Sequence, residues 1–86
     1  MPSTADIRER VENTIIDVLK VDAAELGDDR RIREDLGADS LDAVTLVMAL
    51  EDEFGGSINE ADAQSLATVG DVVAFISRRA EEKALA

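Results

Sequence analysis

The residues that could take part in chemistry centre on one serine, Ser40, which lies between Asp39 and Asp42. A serine becomes a nucleophile when a neighbouring base accepts its proton. The chain has no histidine, and no lysine lies near Ser40 in the sequence, so we do not expect a catalytic serine. Two interpretations stay open: Ser40 caps a helix, which is the commoner reason for a serine at a helix start, or it is a site of covalent modification.

The missing residue types exclude several classes of function. The absence of cysteine rules out disulfides and thiolate metal sites, and the absence of histidine removes the commonest general base and metal ligand. The 86 residues can form one small domain with a modest core, but not an enclosed active site. No apolar run approaches the roughly 20 residues that span a bilayer, and no apolar signal segment is visible. We therefore expect a soluble, cytoplasmic protein that is not an enzyme.

The charge of the chain is strongly negative and unevenly distributed. The formal net charge is −11, and residues 34–77 hold ten acidic residues but no lysine or arginine. Carboxylates gathered in one half of the chain repel one another, yet their negative field speeds association with basic partners. The negative charge also argues against binding to nucleic acid, whose phosphates are bound by basic residues. Solubility alone is the other explanation for the acidic surface. The residue spacing of a calcium-binding loop is absent, so no specific metal site is expected.

Four helices are predicted to position these residues. The first is capped by Ser3 or Thr4 and ends near Lys20, and the second is capped by Asp39 or Ser40 and ends at Phe54. The short third helix runs from its cap Asn59 to about Leu66, and the fourth runs from its cap Thr68 to Arg79. Residues 21–38 show no sustained period and are predicted to form a long loop, a feature that hints at function. The predicted fold is all-α, a small four-helix bundle of three main helices and one short helix. It forms a single domain over residues 1–86, with a folded core at about 4–79 and a frayed tail at 80–86.

The second predicted helix carries two apolar stripes on nearly opposite faces. The broad core stripe consists of Ala43, Leu46, Val47, Leu50 and Phe54. The second stripe consists of Leu41, Val44 and Met48, flanked by Glu51 and Asp52. An apolar patch rimmed by carboxylates suits docking of a partner, and the adaptable side chain of Met48 favours that interpretation. The alternative is that the loop or the first helix covers the stripe.

The sequence around Ser40 resembles that of a known family. Residues 34–42 (EDLGADSLD) look like the carrier-protein signature around the phosphopantetheinylated serine. Residues 44–54 are similar to the recognition helix of bacterial fatty-acid acyl carrier proteins, and the resemblance extends over about residues 7–76. It implies a four-helix fold in which a phosphopantetheinyl transferase moves 4'-phosphopantetheine from coenzyme A onto Ser40. The thiol of that arm would then carry acyl groups as thioesters in fatty-acid biosynthesis.

The resemblance also implies roles for individual residues. Asp39 matches the aspartate that the transferase recognises. The positions that match partner-binding ones are Leu41, Asp42, Val44, Met48, Glu51 and Asp52. The positions that match the apolar lining for a growing chain are Leu46, Leu50, Phe54, Ile58, Ala63, Leu66 and Ile76. The implied partners, besides the transferase, are the ketosynthase, acyltransferase, reductase and dehydratase enzymes of fatty-acid synthesis, and the carrier itself is expected to be a monomer.

Several positions depart from the common bacterial carriers. Thr45 stands where those proteins have a glutamate, Asn59 replaces a proline, and Ile32 replaces an aromatic residue. The loop before Ser40 is also more basic than usual, through Arg30, Arg31 and Arg33. These changes favour, as an alternative, a specialised carrier for polyketide, lipid or other acyl-transfer pathways. From a different class, an unmodified acidic helical interaction module also stays open.

Overall fold

The computed structural model of the chain describes residues 3–85, and these form a helical bundle. The elements are α1 (Thr4–Leu19), a 3-10 turn (Ala23–Glu25), α2 (Ser40–Phe54), the short α3 (Glu60–Gln64) and α4 (Val69–Leu85). No β-strand occurs within residues 3–85, where the extended pairing is limited to one isolated bridge. The predicted all-α fold of three main helices and one short helix is confirmed.

The starts of the four helices follow from short polar motifs. In three of them an Oδ or Oγ atom of the capping residue, which directly precedes the helix, accepts a backbone N–H, and the carboxylate three residues later accepts the backbone N–H of the capping residue in return. The reciprocal pairs are Ser3 with Asp6, Asp39 with Asp42, and Thr68 with Asp71. At α3 the Asn59 side chain accepts from the backbone N–H of Asp62 at 2.8 Å. Each motif satisfies donors that a helix start leaves unpaired, and each start was predicted from sequence.

Helix α4 extends beyond residue 79, the predicted end of the folded part of the chain. The helix continues to Leu85, beyond Arg79, and Ala80 packs against the core. Helical backbone therefore extends over most of the segment that was predicted to fray. Fraying of this segment stays a prediction, and Ala86 lies outside the described residues.

The hydrophobic core lies between α1, α2, α4 and the loop that joins α1 to α2. Its buried members are Ile7, Val11 and Ile15 from α1, Leu46 and Leu50 from α2, Val69, Val72, Val73 and Ile76 from α4, and Leu26, Ile32, Leu36 and Ala38 from the loop. Full burial of one such aliphatic side chain contributes about 1.5–3 kcal/mol to stability. The core thus depends on the loop as well as on the helices. Within residues 3–85 no helix has the length and apolar character needed to cross a membrane.

The loop between α1 and α2 is fixed to the start of α4 by backbone hydrogen bonds. Ile32 N donates to Ala67 O at 2.9 Å, and Val69 N donates to Arg30 O at 3.0 Å. These bonds flank an antiparallel bridge between Arg31 and Thr68. The buried side chain of Ile32 adds an apolar anchor. This long connection is therefore ordered by partners distant in sequence, and it holds the segment before Ser40 in place.

Candidate functional site

Ser40 is the first residue of α2, and its side chain is exposed. The residue that caps α2 is Asp39, whose Oδ1 accepts the backbone N–H of Asp42 at 2.8 Å. Of the two caps considered from sequence, the structure selects Asp39, so the helix start does not require the Ser40 hydroxyl. The hydroxyl oxygen instead accepts a hydrogen bond from Arg33 Nη2 at 3.1 Å. Ser40 therefore presents a solvent-accessible oxygen at the positive end of a fifteen-residue helix.

No group in the described part of the chain is placed to activate this hydroxyl. Its hydrogen-bonded neighbour is the guanidinium of Arg33, which offers only N–H donors and no acceptor, so it cannot act as a base. The carboxylates of Asp39 and Asp42 are both engaged in the capping box. A reaction at Ser40 must therefore draw its base from another molecule.

A groove of about 760 Å³ opens beside Ser40, between α2, residues 58–67 and the start of α4. Five of the seven predicted chain-lining residues contribute to it: Leu46, Leu50, Ile58, Ala63 and Leu66. Seven further apolar residues line the groove without having been predicted to do so: Ile32, Ala43, Val44, Val47, Met48, Ala67 and Val72. Ala43 and Val47 belong to the predicted core stripe of α2, whereas Ile32 reaches the groove only through the folding of the loop. Ser40 itself lies on the groove rim.

Two of the predicted chain-lining residues lie elsewhere. The ring of Phe54 is covered by the guanidinium of Arg10 at 4.5 Å, and Arg10 Nε also donates to Glu53 at 2.7 Å. Phe54 is thus drawn toward α1 instead of the groove. Ile76 is 4% exposed and belongs to the hydrophobic core. Both residues are apolar and close in sequence to groove residues, but their own contacts face α1 or the core.

The second apolar stripe of α2 is exposed. Leu41, Val44 and Met48 are 72%, 56% and 59% exposed, respectively. Neither the loop nor α1 covers them, so this outcome excludes the alternative of a helix buried on two sides. Val44 and Met48 also border the groove. The stripe and the groove therefore form one continuous apolar surface that begins next to Ser40.

The carboxylates that flank the stripe differ in how they are used. Asp42 completes the capping box, and Glu51 Oε2 accepts the backbone N–H of Ile58 at 2.8 Å. The side chain of Asp52 is exposed and makes no ion pair or hydrogen bond within residues 3–85. Two of the three predicted partner-facing acids thus also stabilise the fold. Within the described residues, no group of three or more carboxylates is arranged to hold a metal ion.

The loop before Ser40 is stabilised by its own charges. The backbone N–H of Arg31 donates to Asp35 Oδ2 at 2.8 Å, and this bond lowers the pKa of Asp35 below its ordinary value of 3.8. The Arg31 side chain pairs with Glu34 at 3.5 Å and with Asp35 at 3.7 Å. Arg31 is therefore neutralised locally, whereas no ion pair within residues 3–85 involves Arg33.

The candidate site is thus an exposed, unactivated serine beside an apolar groove and an exposed apolar stripe on a small helical domain. The family described as "phosphopantetheine attachment site" matches residues 9–76. The chain is also 46% identical to an acyl carrier protein of Solidesulfovibrio magneticus over 76 residues, which cover 88% of this chain and 97% of that relative. The chain belongs to the acyl carrier protein family, and the group that it carries is covalently attached 4'-phosphopantetheine.

Proposed function

We propose that Ser40 is the attachment point of the 4'-phosphopantetheine arm, and that the chain carries acyl groups as thioesters on it during fatty-acid biosynthesis. The observation that carries the proposal is the state of the Ser40 hydroxyl, which is exposed and not used to cap α2. The residues present fit the group, because the oxygen is accessible and an apolar groove starts beside it. The arm supplies the thiol that a chain without cysteine lacks.

The attachment step needs little from this chain. In the proposed step, the Ser40 hydroxyl would lose its proton to a base on the transferase, and its oxygen would bond to phosphorus as the pyrophosphate bond of coenzyme A breaks. Adenosine 3',5'-bisphosphate would leave with the electron pair of the broken P–O bond. The contribution of the chain is positional, because the capping pair of Asp39 and Asp42 fixes the first turn of α2. Asp39 would serve the transferase as a recognition contact at the same place.

The partner surface consists of the exposed stripe and its acidic rim. The stripe residues Leu41, Val44 and Met48 would contact apolar surface on the partner, while Asp42, Glu51 and Asp52 would attract lysine and arginine side chains. A small apolar contact combined with long-range attraction gives fast association and short residence, which suits a shuttle. The proposed partners are the transferase and the ketosynthase, acyltransferase, reductase and dehydratase enzymes of fatty-acid synthesis. The proposal also includes localisation in the cytoplasm.

The groove is the proposed site for a bound acyl chain. Its volume of about 760 Å³ lies in the range of small-molecule sites, which is roughly 300–1,000 Å³. Leu46, Leu50, Ile58, Ala63 and Leu66 provide apolar walls. An acyl chain placed there would lose its contact with water, and its binding would stabilise the folded state.

The proposal is tested by mass measurement after incubation with a phosphopantetheinyl transferase and coenzyme A. The wild-type chain and Ser57→Ala, which removes another exposed serine side chain, should each gain one phosphopantetheine group. Ser40→Ala should gain none. An unmodified wild-type chain, or an increment that survives Ser40→Ala, would contradict attachment at Ser40.

The unmodified interaction module is set aside, because the chain matches the phosphopantetheine attachment family over residues 9–76. The specialised-carrier alternative depends mainly on Thr45. This residue is exposed, and its hydroxyl donates to Leu41 O at 3.0 Å within the helix. That contact is an ordinary helix interaction, so it gives no reason to prefer a different pathway.

A further inference from the structure

Arg33 contacts the serine to which the arm is attached. Its Nη2 donates to Ser40 Oγ at 3.1 Å, across seven positions of sequence. The contact is made possible by the ordered loop, in which Ile32 is buried and bonded through its backbone to Ala67. Arg33 also lies on the rim of the groove, next to Ser40. A cation is thus placed at the point where the arm begins.

The charges around Ser40 make this cation unusual. Residues 34–77 contain no lysine or arginine, so Arg33 is the last basic residue before the acidic half of the chain. Asp39 and Asp42 border Ser40 on the same helix start. Arg31, in the same loop, is paired with the carboxylates of the loop, whereas Arg33 has its single hydrogen bond to Ser40 and no ion pair within residues 3–85.

The link between the arm and Ser40 supplies an anion with which the guanidinium of Arg33 can pair. The link to Ser40 is a phosphodiester, and its negative charge resides on two oxygens bonded to the same phosphorus as Ser40 Oγ. These oxygens would lie two bonds from an atom that Arg33 already contacts. A guanidinium matches phosphate oxygens with a planar fork of N–H donors, and the neighbouring carboxylates would otherwise repel the new charge.

We propose that Arg33 binds the phosphodiester of the arm on Ser40, and so orients the base of the arm along the mouth of the groove. This role depends on the proposed attachment at Ser40. Arg33 is a positioning residue, because it would contact the phosphodiester, which is the same whichever acyl group the arm carries, and not the acyl thioester. Its effect is to offset the repulsion from Asp39 and Asp42 and to reduce the orientations open to the arm.

The test compares apo and holo protein by NMR, after mass measurement has verified loading. In wild type, the Arg33 Nε–H should shift on loading, and its exchange with water should slow on the order of two- to five-fold, the range of an exposed ion pair. The ³¹P resonance of the holo form should move in Arg33→Gln and return partly in Arg33→Lys. Arg30→Gln removes the same charge from the same loop and should leave the ³¹P resonance unchanged. The difference between Arg33→Gln and wild type should fade as salt is added.

The outcomes separate this inference from the proposed function. If no phosphopantetheine attaches to Ser40, the proposed function fails and the inference fails with it. The inference alone is overturned if the chain loads but two signals do not change. These are the Arg33 Nε–H signal, compared between apo and holo wild type, and the ³¹P resonance, compared between holo wild type and holo Arg33→Gln. A ³¹P shift of equal size in Arg30→Gln would also overturn it, because it would reflect net charge. The wild-type comparison of apo and holo forms does not depend on any variant folding.

Discussion

At the scale of single residues, the division of labour between Asp39 and Ser40 decides what the site can do. Serine and aspartate are both good helix caps, so the pair could in principle have been arranged either way. Because Asp39 caps α2, the hydroxyl of Ser40 is left exposed to solvent. One residue thus gives structural support, while its neighbour stays accessible, as the proposed attachment requires.

This division predicts separate effects of two substitutions at Asp39. Asp39→Ala should destabilise the fold by about 1 kcal/mol, because the N-cap acceptor is lost, and should slow loading. Asp39→Asn keeps a capping oxygen and should keep most of the stability, while loading should still slow if the transferase reads the charge. Thermal unfolding and the initial rate of mass increase measure the two effects. Equal loading by Asp39→Asn and wild type would contradict a recognition role for the carboxylate.

A second residue-scale prediction concerns Met48. Because this side chain is 59% exposed, Met48→Glu should leave the melting temperature nearly unchanged. It should weaken binding to a partner enzyme by about 1–2 kcal/mol, as expected for an apolar residue near the centre of an interface. Thr45→Glu places the same charge at a neighbouring exposed position and should not weaken binding. If Met48→Glu unfolds the chain, Met48 belongs to the core and the docking surface is wrongly placed.

At the scale of secondary structure, the elements controlled by local interactions were predictable from sequence. The capping boxes at Asp39–Asp42 and Thr68–Asp71 need only residues three apart. The two stripes of α2 follow from the helical period, and the outward stripe is indeed exposed. The period alone did not decide whether another element covers that stripe. That question depends on where the loop goes.

The features that sequence did not predict all depend on distant partners. The bridge between Arg31 and Thr68 joins residues far apart in the chain, and no pattern in either segment announces it. The same is true of the contact between Arg33 and Ser40, which requires the loop to be folded. The family resemblance implied a place for Phe54 in the groove lining, but the cation of Arg10 on α1 covers its ring.

The end of α2 gives an element-scale prediction. Gly55 has a φ of 71°, in the left-handed region, and its N–H donates to Glu51 O at 2.8 Å. Gly55→Ala should cost about 1 kcal/mol, because a Cβ disfavours this conformation. Gly56 does not have a positive φ, so Gly56→Ala should have a smaller effect. The two melting temperatures test this, and equal losses would place the strain elsewhere.

The loop before Ser40 should show a pH-dependent contribution to stability. The hydrogen bond from Arg31 N lowers the pKa of Asp35, so the folded state favours the carboxylate. The stabilisation is therefore present above the ordinary value of 3.8 and lost as the pH falls through the lowered folded pKa. Asp35→Asn should thus be less stable than wild type near neutral pH, and the difference should vanish in more acidic solution.

The matched control for this effect is Asp29→Asn. Asp29 lies in the same loop and accepts no hydrogen bond within the described residues, so the substitution changes the net charge equally without removing that contact. Denaturant unfolding at several pH values gives both differences. A stability gap between Asp35→Asn and wild type that persists unchanged at the most acidic pH would contradict the assignment to the ionised carboxylate.

At the scale of the whole molecule, function and stability make opposite demands on charge. The acidic half of the chain would attract the proposed basic partners over a long range, but its charges also repel one another across a molecule of 36 × 26 × 19 Å. Among the described residues, two ion pairs join distant segments, Arg8 with Asp28 and Arg10 with Glu53, and both are exposed. Such pairs contribute about 0–1 kcal/mol each. With a net charge of −11, repulsion should outweigh them.

Salt should therefore raise the melting temperature. The screening length is about 30 Å at 0.01 M and about 3 Å at 1 M, so repulsion acts across the whole molecule at the lower concentration and only between adjacent charges at the higher one. Magnesium chloride and sodium chloride should both raise the melting temperature, because the ions of either salt screen the repulsion. A melting temperature indifferent to both salts would mean that repulsion does not limit the fold.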